Sequence, residues 1–153
     1  MTAATVLVAS SMFAACSSAP RSAPQPVAVA ASGPGGVTST AAVEGFLRAA
    51  QTTDARAMSN YFGTRAGPTT MRDPAADVEK RMIALSCYLA HDSARVLGDV
   101  PGIGAAGERT VTVELRQREI VRQTRFTAVS GPGNRWFVQA FDIDAVSDLC
   151  RPR

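Results

Sequence analysis

The chain reads as an α+β domain in which N-terminal helices pack on a curved antiparallel sheet. Three observations predict this. Apolar residues recur at helical spacing up to about residue 89, the spacing then changes to alternation, and reversals rich in glycine and proline divide the alternating part. Helices first and antiparallel strands afterwards indicate the α+β class.

Each element has its own signature. Ser39 or Thr40 can cap a helix carrying Val43, Phe46, Leu47 and Ala50, which fall on one stripe. Asp54 caps a shorter helix with Ala55, Met58 and Phe62, and Gly63 stops it. A polar loop containing Gly67-Pro68 follows. Asp73-Pro74 then opens a third helix, with aspartate as cap and proline at the first helical position. Its stripe is Val78, Met82, Leu85 and Leu89. Cys87 projects about 180° away from Val78, off the main buried face.

Residues 93–99 predict a first strand, and 101–107 a glycine-rich loop. Residues 109–117 alternate, with Val111, Val113 and Leu115 inward. Residues 120–129 continue as a strand, with Phe126 and Ala128 on one face. Ser130-Gly131-Pro132-Gly133-Asn134 reverses the chain into a last strand over 135–143. That strand is apolar on both faces: Trp136, Val138 and Ala140 on one, Phe137, Phe141 and Ile143 on the other. Such a strand is expected to be central, or to border a pocket or a subunit interface.

Composition sets outer bounds. The chain has 153 residues, 46% hydrophobic and 19% charged, as a globular protein does. Net charge is +3, carried almost wholly by arginine because Lys80 is the only lysine. So small an excess gives no ground for a nucleic-acid partner. His91 is the only histidine and no two cysteines have ligand spacing, so neither a metal nor a cofactor is expected.

The N-terminus points to export. Residues 2–15 are uncharged and carry Val6, Leu7, Val8, Met12 and Phe13, a run too short to span a bilayer but right for the apolar part of a signal peptide. It ends Phe13-Ala14-Ala15-Cys16. This resembles the bacterial lipobox, in which small residues precede a cysteine whose thiolate receives a diacylglycerol as a thioether. Phe13 stands where leucine is usual, and no basic residue precedes the apolar run, as if the chain began inside its leader. The competing reading is an ordinary secretory signal with a free cysteine nearby. The resemblance implies a signal peptide over 1–15, lipidation at Cys16, and a cell-envelope protein held to a membrane. Residues 16–38, rich in Ala, Pro, Ser and Gly, then form a flexible tether before a domain over 39–150.

Once Cys16 is assigned to lipid, Cys87 and Cys150 remain as a pair in an oxidising compartment. A bridge would fasten the C-terminal tail to the third helix. Two buried free thiols are the alternative.

The order of elements is similar to nuclear transport factor 2-like domains, also described as cystatin-like. The likeness rests on AAVEGFLRAAQTTDARAMSNYF, a helix leading through a polar turn and Asp into a second short helix. It rests equally on TRFTAVSGPGNRWFVQAFDID, a strand, a glycine-rich turn and an Arg-Trp-apolar strand. Members of that fold include isomerases and cyclases with an acid or base inside the cone. The resemblance makes Tyr61, Trp136, Phe141 and Asp142 a candidate pocket, with Tyr88, His91 and Asp92 as further acid–base candidates. On the shared face with Trp136 and Val138, burial would raise the Asp142 pKa. The plainer reading has Asp142 and Asp144 as solvated or capping groups at the strand end. No Ser/His/Asp order, paired carboxylates or phosphate-cradling glycine loop is present. A binding or interaction module for an envelope protein or small ligand is therefore expected, with an exported enzyme as alternative and a homodimer through the last strands as a third reading. Arg116, Arg118, Arg122 and Arg125 around one hairpin would attract acidic headgroups or a partner, or simply solvate the strand surface.

Overall fold

A computed structural model of the chain describes residues 33–104 and 106–150. The signal segment 1–15, Cys16 and the tether up to residue 32 lie outside the described residues. Helices α1 (Ser39–Gln51) and α2 (Ala55–Tyr61) lead into two short paired strands, β1 (Gly63–Thr64) and β2 (Gly67–Pro68). Helix α3 (Ala75–Tyr88) precedes β3 (Ser93–Pro101), β4 (Glu108–Gln117), β5 (Ile120–Ser130) and β6 (Trp136–Phe141). These four form an antiparallel sheet in the order β3-β4-β5-β6, and a 3-10 helix over Asp144–Cys150 ends the described chain. The architecture is α+β.

Local chemistry sets the boundaries. Thr38, one residue ahead of the expected cap, accepts the Ala41 N–H at 3.0 Å and starts α1. Asp54 caps α2 as expected, accepting the Ala57 N–H at 2.9 Å. Asp73 does not cap α3. Pro74 keeps a non-helical ψ of 136° and takes the cap position, while the Asp73 carboxylate pairs with Arg81 at 3.0 Å. The aspartate therefore braces the first turns from the side.

The core lies between the helices and one face of the sheet. Helix α1 touches all four large strands, and its Val43, Phe46 and Leu47 bury against Val111, Val113 and Leu115 of β4 and Phe126 of β5. Met58 comes from α2, and Val78, Met82 and Leu89 from the expected stripe of α3. Burying each such side chain contributes about 1.5–3 kcal/mol. Phe46 stacks on Phe62 at 5.7 Å, and Phe126 meets Phe141 at 5.4 Å.

Of the places expected for the last strand, the central one is not taken: β6 is an edge strand, and its Phe137 borders a recess. It is nonetheless covered. Phe137 and Val138 are both buried, and the free edge bridges to Gly36 at Trp136 and to Phe62 at Val138. The edge is thereby closed to further pairing along those positions. Gly36 and Trp136 exchange two backbone hydrogen bonds of 2.8 Å. Arg135 donates to the carbonyls of Gly33, Pro34 and Gly35. Residues 33–38, assigned by sequence to the tether, are thus part of the folded body.

Gly45 shows why a glycine sits inside α1. A Cβ there would stand 2.4 Å from the Tyr61 ring, so the helices approach only because it is missing. Gly45→Ala is expected to lower stability by about 1–2 kcal/mol through overpacking. In a Tyr61→Ala background the same change should stabilise, since helix propensity then acts alone. Chemical denaturation of the four variants reads the reversal of sign.

Candidate functional site

The four residues expected to share a pocket are separated. Tyr61 lies half-buried against α1 at Gly45. Trp136 and Asp142 stand at opposite ends of β6, and Phe141 faces inward onto Phe126. Asp142 is on the other face. The register between β5 and β6 pairs Thr127 with Ala140 but Ala128 with Val138, leaving Gln139 as an extra residue. Alternation counted from Trp136 fails there, and Asp142 emerges on the outer face beside Arg125, 3.5 Å away. Its Oδ1 accepts the Ala145 N–H at 3.3 Å, so it caps the final 3-10 helix. The capping reading of Asp142 holds.

The helix-side interior, where the resemblance leads one to expect an acid or base, is filled by Phe46, Phe126, Met58, Met82, Leu89 and Leu115. His91 is buried with Nδ1 2.6 Å from the Leu89 carbonyl, and Asp92 accepts the Arg118 N–H at 2.6 Å. Tyr88 is half-buried beside the core.

A groove of about 460 Å³ lies instead between α1 and β3. Leu47, Val96 and Val113 form its floor, Glu44 and Arg48 its helical wall, and Asp92–Val96 its strand wall. Both ends are tied. Gln51 donates to the Asp92 carbonyl at 3.0 Å, and at the other end Ser39 and Thr40 donate to Asp99 at 2.5 and 3.1 Å. Strand β3 has β4 on one side only, so its other edge offers backbone donors and acceptors. Sequence reasoning missed this site, although α1 is exposed along Glu44, Arg48 and Gln51 at helical spacing.

Asp99 holds the far tie together. Burial alone would raise its pKa, but hydrogen bonds from Ser39, Arg109 and Thr40 and the Arg109 charge outweigh it, so the carboxyl sits below its ordinary value. Its position at the start of α1 also suits the helix dipole. Between the depressed native value and the ordinary 3.8, the unfolded chain binds a proton that the native one does not. Stability from Asp99 is therefore full above that window and lost as pH falls through it. Acid titration of unfolding should show a shallower loss in Asp99→Asn than in the parent.

The arginine hairpin is largely neutralised by neighbours. Arg122 pairs with Asp148 at 2.5 Å, Arg125 with Asp142, and Arg116 with Glu114 at 3.9 Å. Cys87 and Cys150 are joined as a disulfide, with Cα atoms 4.8 Å apart. Among the described residues, no cluster of His, Cys, Asp and Glu could hold a metal, and no helix is long and apolar enough to cross a membrane. No protein-family model, curated protein or solved structure matches this chain.

Proposed function

We propose that this chain is an exported envelope protein, lipid-anchored at Cys16, whose domain is a nuclear transport factor 2-like, non-enzymatic binding module. The observation that carries the reading is the Cys87–Cys150 bridge. It uses two of three cysteines and favours an oxidising compartment, leaving Cys16 alone behind a lipobox-like Phe13-Ala14-Ala15. The order of two helices, a small strand pair, a third helix and a four-stranded meander supports the fold assignment. The filled interior turns attention from enclosed-site catalysis to the α1–β3 groove. There an extended polypeptide can add to the free edge of β3 while its side chains meet Leu47, Glu44 and Arg48.

Intact mass of the membrane-extracted protein tests the anchor: loss of residues 1–15 and a gain of acyl chains are expected. A Cys16→Ser variant that is cleaved identically and stays membrane-bound would overturn it. For the groove, peptides selected on the full chain should lose at least tenfold affinity to Arg48→Glu and keep it with Arg125→Glu, on the outer face. Equal losses would remove the groove as the site.

A further inference from the structure

We propose that the end of the domain where the described chain begins is a membrane-contacting surface; this rests on the lipid-anchor reading and gives the anchored domain an orientation. Topology collects five segments at that end. Residues 33–37, the β2 region, the β3–β4 hairpin, the β5–β6 turn and the start of α1 all meet there. Trp136 pairs with both Gly36 and Ser130, and the Ser130 N–H donates to the Gly107 carbonyl at 2.8 Å. A Cβ on Gly67 would touch both Met71 and Pro132.

The exposed large apolar side chains at this end are Val37, Met71, Val100 and Ile103. Each is more than half exposed, and Ile103 at the hairpin is fully so. Met71 also joins Pro34, Pro68, Pro132 and Phe137 in lining an open recess of about 460 Å³ at the same end. Apolar groups gathered this way mark a contact surface.

Charge is disposed to allow that contact. Arg109 pairs with Asp99 at 2.5 Å, Arg65 reaches Glu108 at 3.9 Å, and Arg135 spends its donors on the carbonyls of residues 33–35. Exposed Arg72 follows Met71 and adds a cation at the rim, suited to anionic headgroups. The opposite end presents the β4–β5 turn with Arg116, Arg118, Glu119 and Arg122.

The chain itself selects a bilayer as the occupant. Gly33 lines the recess and stands only 17 positions after Cys16, a covalent reach of at most about 60 Å. A lipid at Cys16 therefore ties the chain to the membrane at this end, while the arginine hairpin lies a further strand length, about 36 Å, away along β5. One acyl signal alone binds marginally, and a second apolar contact makes anchoring durable.

The test uses the full chain, recovered from membranes with its acyl mass verified, in phosphatidylethanolamine–phosphatidylglycerol vesicles with brominated acyl chains. Indole fluorescence added by Ile103→Trp or Met71→Trp over the parent's Trp136 should be quenched about twofold or more, while that added by Val121→Trp at the opposite end is spared. Acylated protein with equal quenching, or none, at all three positions overturns the surface. An indole at 103 shielded from acrylamide by self-association without vesicles assigns the end to protein contact and also overturns it. Missing acyl mass sinks the anchor reading instead.

Discussion

Replacing Cys87 and Cys150 together by serine is expected to lower the unfolding free energy by about 4 kcal/mol, the chain-entropy value for a loop of this length. The cross-link spans 63 positions, from the last turn of α3 to the end of the final 3-10 helix, and so encloses the whole four-stranded sheet. Without it the unfolded chain gains the freedom of that loop, while the native contacts of Val146 and Leu149 with the core persist. Urea titration with and without reductant checks this. The oxidised parent should unfold at a markedly higher midpoint, the reduced parent should coincide with the double variant, and the double variant should ignore reductant. Coincident midpoints throughout would mean that the tail is held by Val146 and Leu149 alone.

Phe126→Ala should cost about 3–5 kcal/mol. Phe126 is fully buried on the inner face of β5, its ring tilted against Phe141 and packed beside Val111 and Val138. Backbone ladders on both sides fix the strand, so the neighbours cannot collapse into the space. Thr127→Ala, one residue along and facing outward, should change stability by under about 0.5 kcal/mol. Similar losses at both positions would contradict the assignment of faces.

Much of the fold was legible because it is local. The stripe of α3, the Asp54 cap and the alternation of Val111, Val113 and Leu115 each depend on residues within one element, and each stands as read. The site was not legible, because it depends on register. A single extra residue at Gln139 moves Asp142 to the outer face, and nothing in the spacing of Trp136, Val138 and Ala140 announces it. Strand β6 misled for a related reason. Its two apolar faces read as a central position, whereas the cover comes from Gly36 and Phe62, far away in sequence. The α1–β3 groove escaped because it is made by what β3 lacks, a second neighbour. The glycine in mid-helix at Gly45 was a usable signal of close approach.

The reciprocal bridge between Gly36 and Trp136 also has a mechanical consequence. Any pull arriving along the chain from its N-terminal side meets the described residues first at 33–36. There the load falls on the Arg135 fork, on the Gly35 N–H bond to the Asn60 carbonyl and on two backbone hydrogen bonds to the edge of the sheet. These are few and lie at the periphery, so they yield before the ladders joining β4 to β3 and β5. A tug of moderate size would peel a short strap and leave the cross-linked sheet whole, as a mechanical fuse does.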